Sequence, residues 1–197
     1  VMEGKALLFK EFANIDAWPI CLDTQNADEI IETVRRIAPG FGGINLEDIS
    51  APRCFEVENS LQDLGIPVFH DDQHGTAIIT SAAFVNAIEV SKRDISTTTI
   101  VVSGAGAAAM ACSKLLFDLG VKRENLLMCD SKGVIYTGRS EGMNKYKEEF
   151  AQETNHRTLA DAINGADAFI GCSARGVLTQ EMVKTMGPQP IIFAMAN

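Results

Sequence analysis

The chain of 197 residues has few aromatics (7%), no Cys-x-x-Cys pair, no basic run and no long apolar stretch. Each shortage excludes a class of protein. Cys21, Cys54, Cys112, Cys129 and Cys172 are scattered and odd in number, and the last three fall in apolar segments. That spacing fits neither a disulfide framework nor a zinc site; it fits buried thiols in a reducing, cytoplasmic compartment. Nothing approaches the roughly 18 apolar residues of a membrane span, and no secretory leader is recognisable. Acids outnumber bases by 26 to 17, a formal charge of −9, with no clustered Lys and Arg to face nucleic acid. There is no Gly-x-Ser-x-Gly run and no Ser/His/Asp arrangement, so hydrolase chemistry lacks a nucleophile. What remains is a globular composition, 46% hydrophobic and 22% charged. At about 150 residues per domain the length suits one large domain or two small ones.

Short apolar runs alternate with helical patterns, the signature of a parallel α/β sheet. The pattern predicts strands at 17–22, 43–46, 67–70, 98–103, 126–130, 168–171 and 191–195. Helices are predicted at 27–37, 51–64, 76–90, after the 104–109 run to about 119, and at 159–163 and 179–186. A boundary falls near Arg93-Asp94. Residues 1–93 then form a parallel-sheet metal and substrate domain, and 94–197 a Rossmann-like dinucleotide-binding domain.

Three features carry chemistry. Gly104-x-Gly106-x-x-Ala109 lies between a predicted strand and helix. There the first glycine permits the bend, the second lets a pyrophosphate approach, and the helix N-terminus supplies donors. Asp130 follows at the end of the next strand, where a carboxylate holds a ribose 2′-hydroxyl and a nearby cation accommodates a 2′-phosphate. The local text is mixed, Asp130-Ser131-Lys132 with Lys147 further on, and leaves both cofactors open. Glu47-Asp48 and Asp71-Asp72 each end a predicted parallel strand, where ligands gather in open α/β sheets. Hard oxygens of this kind suit Mg²⁺ or Mn²⁺, although either pair also suits a helix cap. Lys5, before the apolar Ala6–Phe9, is ordinarily a solvated side chain and becomes a base only when desolvated or beside other cations.

Taken together these pieces resemble malic enzyme, the oxidative decarboxylase of L-malate. The matching runs are Gly4-Lys5, Glu47-Asp48, His70-Asp71-Asp72-Gln73-His74-Gly75-Thr76-Ala77, Gly104 to Ala108, and Ile192-Phe193-Ala194-Met195-Ala196-Asn197. They occur in order along the whole chain, and the wording is nearest to the bacterial-type branch.

The resemblance implies that Glu47, Asp48 and Asp72 bind the divalent metal, with Asp71 beside it as a catalytic group. Lys5 matches the family's catalytic lysine, and Asn197 would contact substrate. Gly104, Ala105, Gly106, Ala107 and Ala108 would carry the pyrophosphate, with Thr76 and Ser173 nearby. Ser131, Lys132 and Lys147 match positions where NADP-using members place phosphate-compatible groups, which favours NADP over NAD, with Asp130 alongside. A homodimer or higher oligomer is implied. The family's tyrosine acid would lie upstream of Val1, since Tyr136 and Tyr146 do not match it, and the chain would be the core of a longer enzyme. Arg175 departs from the family's usual small residue and is expected to point to solvent. Two other readings stand beside this one: a dinucleotide-binding fragment without turnover, and another two-domain dehydrogenase of the amino-acid dehydrogenase type, which would not need the acidic pairs.

Overall fold

The computed structural model describes residues 1–196, so Asn197 lies outside the described residues. Contacts divide the chain into two compact units. The first comprises Val1–Ile49 and Arg53–His70, and the second Ser50–Pro52 and everything from Asp71 onward. This division falls at His70, ahead of the 93/94 boundary expected from sequence, because the helix that follows His70 packs within the second unit.

In the first unit, α1 (Met2–Ala13) precedes α2 (Ala27–Ile37), β1 (Ile44–Leu46), α3 (Arg53–Ser60) and β2 (Val68–His70). Helix α2 shows why its bounds were legible. Asn26 caps it by accepting from the N–H groups of Asp28 (2.9 Å) and Glu29 (3.3 Å), and Arg35 and Arg36 sit in its last turn. Such a cap is worth about 1 kcal/mol. Ile30 and Val34, one turn apart, are buried against Leu46, Val57 and Leu61. β1 and β2 pair in parallel, with Ile44 opposite Val68 and Leu46 opposite His70. The chain therefore leaves both strands at the same end, Glu47-Asp48 following one and Asp71-Asp72 the other.

Residues 17–22 form no strand, contrary to expectation. An apolar run becomes a strand only with a partner, and here Pro19 interrupts it while Trp18 is 76% exposed. Helix α1 was not anticipated. It buries no residue, so it offers no apolar stripe against a core.

The second unit begins with α4 (Asp71–Ser91), then β3 (Ile100–Ser103), α5 (Ala107–Asp118), β4 (Leu126–Asp130), β5 (Gly133–Val134), α6 (Lys145–Glu148), α7 (Leu159–Ile163), β6 (Ala168–Gly171), α8 (Gln180–Thr185) and β7 (Ile191–Ala194). α4 starts five residues earlier than predicted, because Asp71 and Asp72 occupy its first turn, where acids face the positive end of the helix dipole. The strands lie in the order β5-β4-β3-β6-β7, all parallel except the short β5. β3 and β6 are buried along their full length, and Val101, Cys129, Val134, Ile163 and Phe169 share one cluster. α4 packs on α5, and the residues the two helices bury include the small Ala77, Thr80 and Ser81 on one and Ala109 and Ser113 on the other. The other side of α4 leaves Ile78, Ile79, Val85 and Val90 exposed. No helix among the described residues is long and apolar enough to cross a membrane.

Candidate active site

In the first unit a cleft of about 840 Å³ is lined by Lys5, Glu47 and Asp48 together with Phe9, Trp18 and Ile44. The Lys5 ammonium lies 3.3 Å from Glu47 Oε2. The same oxygen accepts from Asn45 Nδ2 at 2.9 Å. Glu47 is only 8% exposed, so its carboxylate is an acceptor held largely out of water. A buried carboxylate calls for a cationic partner. Asp48, exposed at the next position, has a left-handed backbone (φ 57°), which turns the chain sharply beyond β1. It caps no helix, because α3 begins only at Arg53. Asn45 was missed from sequence, although it lies on β1 two residues before Glu47, whose carboxylate its side chain meets.

In the second unit Asp71 and Asp72, both half-buried, occupy the first turn of α4, with Thr76 one turn on. The Asp71 carboxylate lies over Gly75, where a methyl group would stand 2.3 Å from its Oδ1. Glycine leaves room there for that carboxylate.

The dinucleotide turn is formed at the carboxyl end of β3. Gly104 has φ 126°, and a Cβ on it would meet the Cys172 backbone at 3.2 Å. Gly106 is the N-cap of α5, no side chain caps that helix, and nothing lies within 4 Å of where a Cβ would be. No side chain takes the first-turn N–H groups of this twelve-residue helix, the arrangement that receives a phosphate. β4 lies on one side of β3 and β6, which the chain reaches after β5, on the other, so the strand order reverses beside β3 and its carboxyl end is the switch point of the sheet. Ser173 reaches it by a 2.8 Å hydrogen bond with Ser103. The neighbouring Cys172 thiol is pushed up by its hydrogen bond with Cys112 and by burial, whereas Cys112 is lowered by the same contact. Burial raises Cys129 to about 12. None of the five cysteines is in a disulfide, and Cys21 is the exposed one. Arg175 is exposed.

Asp130 ends β4 and gathers cations. Its Oδ2 accepts from Lys147 Nζ at 2.6 Å and from Arg139 Nη2, and its Oδ1 from Arg139 Nη1 at 3.0 Å. Burial disfavours the charged carboxylate, but the hydrogen bonds from Arg139 and Lys147 more than offset this and hold it down at about 2. Lys132 contributes its backbone N–H at 2.9 Å, while its ammonium turns to Glu141 at 2.6 Å. Ser131 is exposed. Arg139 had no local signal in the sequence. It lies nine positions beyond its partner, past a glycine turn at Gly138.

The fold and these groups define a dinucleotide-binding α/β protein with a carboxylate-bearing cleft. Residues 1–62 match the family model of the malic enzyme N-terminal domain and residues 73–197 that of the malic enzyme NAD-binding domain. The chain belongs to the malic enzyme family. It is 56% identical, over its full length, to an NADP-dependent malic enzyme of Rhizobium meliloti, covering 26% of that protein. It is 55% identical to a bifunctional malic/malolactic enzyme of Bacillus subtilis, covering 49% of it. The crystal structure of an NAD-dependent malic enzyme from Thermotoga maritima superposes with a TM-score of 0.95 at 46% identity, with 100% of this chain and 53% of that one covered. The chain thus spans between a quarter and about half the length of these relatives.

Proposed function

We propose that the full-length protein converts L-malate to pyruvate and CO₂ with reduction of NADP in preference to NAD. The observation that carries the reading is the Lys5–Glu47 pair, an ammonium 3.3 Å from a mostly buried carboxylate at the carboxyl end of β1. That pairing puts a basic nitrogen beside a metal-ligand type of side chain. Glu47, Asp48 and Asp72 offer hard oxygens of the kind that suit Mg²⁺ or Mn²⁺. A divalent cation held by these oxygens would supply Lewis acidity toward the substrate's C2 oxygen. Lys5 Nζ, in its neutral form, accepts the proton of the malate 2-hydroxyl. Asp71, fixed over Gly75, orients that lysine and the substrate. Asn197 contacts a substrate carboxylate. The turn from Gly104 to Ala108 holds the pyrophosphate on the open N-terminus of α5, with Thr76 and Ser173 nearby. Ser131, Lys132 and Lys147 form the surroundings of the 2′-phosphate.

Assembly as a homodimer or higher oligomer and a cytoplasmic location belong to the same reading. The first is supported by the exposed Ile78, Ile79, Val85 and Val90 along α4, since an apolar strip of that length on a helix ordinarily has a cover. Malate-dependent reduction of NADP and NAD by the full-length protein, with and without Mn²⁺, tests the activity, and turnover indifferent to metal would refute it. Lys5→Ala is expected to lower kcat by at least about 100-fold, the range of general-base contributions, with a smaller change in malate KM. A near-normal kcat would remove Lys5 from the chemistry.

A further inference from the structure

Asn45 stands at the centre of the three-residue strand β1, between Ile44 and Leu46. Leu46 belongs to the core cluster of the first unit and Ile44 packs against it, so the residue between them faces the other way. There Asn45 lines the cleft with Lys5 and Glu47. Asparagine is depleted from strands, and a β-branched residue would be the local choice at this position. The side-chain amide donates from Nδ2 to Glu47 Oε2 at 2.9 Å. An ionised carboxylate only accepts, so the NH₂ end of the amide must face it. The other end, Oδ1, is then buried with no hydrogen-bond partner among the described residues. A half-satisfied buried amide costs stability, and a strand that merely needed filling would not carry one. Lys5 Nζ meets the same Oε2 at 3.3 Å. Two donors therefore converge on one oxygen of a carboxylate that is only 8% exposed, and together they fix its orientation.

We propose that Asn45 is a positioning residue for Glu47: its amide holds Oε2 on the side of Lys5 and leaves Oε1 as the oxygen available to a divalent cation. The strand gives up local stability at Asn45 to aim the carboxylate that follows it. The inference rests on the metal-dependent reading above and deepens it.

Equilibrium binding of Mn²⁺ alone to the full-length protein, followed calorimetrically beside urea unfolding of the metal-free protein, tests it without any turnover. Asn45→Leu keeps roughly the shape of the amide and removes both of its polar ends. It is expected to weaken Mn²⁺ binding at least tenfold while the urea midpoint changes little, because loss of the donor to Glu47 is offset by removal of the orphaned Oδ1. Asn45→Gln, which keeps an N–H donor on a longer arm, is expected to lie between the parent and Asn45→Leu. If Asn45→Leu does not fold, Asn45→Val, of a type that strands favour, carries the same expected loss. Mn²⁺ binding by the donor-less variant within threefold of the parent would overturn the proposal. So would an Asn45→Gln protein no tighter than Asn45→Leu, or a loss of affinity that merely follows a loss of stability across the variants. Glu47→Gln separates this inference from the reading beneath it. If the unaltered protein binds no Mn²⁺, or Glu47→Gln binds it as tightly as the parent, Glu47 is not a metal ligand and both fail. If Glu47→Gln loses Mn²⁺ and Asn45→Leu keeps it, only the role of Asn45 fails.

Discussion

Gly104→Ala and Gly106→Ala, two residues apart in one turn, should fail in different ways. At Gly104 the backbone has φ 126°, a conformation that costs an L-residue about 1–3 kcal/mol. The added methyl would also stand 3.2 Å from the carbonyl carbon and oxygen of Cys172 and 3.3 Å from its Cβ. That backbone cannot retreat easily, because the Cys172 N–H is bonded to the Ser103 carbonyl at 2.8 Å. Overpacking against a fixed neighbour adds about 1–3 kcal/mol, so Gly104→Ala should destabilise by roughly 2–6 kcal/mol. At Gly106 the backbone is extended and a Cβ meets nothing within 4 Å. Stability should then change by less than about 1 kcal/mol, the scale of an N-cap replacement. The methyl would instead occupy the approach of the pyrophosphate, and dinucleotide affinity should drop at least about tenfold, or 1.4 kcal/mol. Urea unfolding and NADP titration of both variants in the full-length protein separate the two effects. A Gly104→Ala protein as stable as the parent would refute the steric argument. Gly106→Ala binding NADP as tightly as the parent would show that the open space is not the cofactor's.

Gly75→Ala should stabilise α4 or leave it unchanged, since alanine is favoured over glycine within helices by about 1 kcal/mol. It should still lower kcat, because the new methyl displaces the Asp71 carboxylate 2.3 Å away; an unaltered kcat would detach Asp71 from catalysis. Asp130 is depressed to about 2 from an ordinary 3.8. Its stabilising contribution is therefore complete above 3.8 and is lost as pH falls toward and through 2. Asp130→Asn should flatten that part of the acid-unfolding curve, and a curve identical to the parent's would show that the Arg139 and Lys147 contacts do not differ between folded and unfolded chains.

Elements with both a cap and a buried face were legible in full. Residues 27–37 carry Asn26 ahead of Ile30 and Val34, and 159–163 carry the Thr158–Asp161 capping box. Strands 126–130 and 168–171 are continuous apolar runs because both faces of the parallel sheet are covered. The failures share a cause. Residues 17–22 look like a strand locally but have no partner, while α1 has no buried face and so no periodic imprint. β5 and α6 are too short for any period to register. The same logic applies to the site. Acids at strand ends and glycines in a turn are sequence-local and could be placed from the sequence, whereas Arg139 meets Asp130 only when the chain folds back.

The net charge of −9 and the anionic ligands are reconciled by distance. Charges in solvent are screened over about 8 Å at physiological salt, so acids scattered over the surface contribute little at any one point. At 4 Å near a protein surface the Coulomb attraction between unit charges is about 4 kcal/mol before desolvation and screening, so a few close contacts outweigh a diffuse field. The chain makes these contacts locally, through Arg139 and Lys147 on Asp130, through the uncapped N-terminus of α5, and through Lys5 on Glu47. In two of these places a carboxylate sits among the donors, and it has a purpose there. Without Asp130, two cations would lie side by side at the end of β4 and repel one another; with it, they are fixed and one positive charge remains. The overall balance thus says nothing of ligand sign, while the acids nearest the cations decide how those cations are aimed.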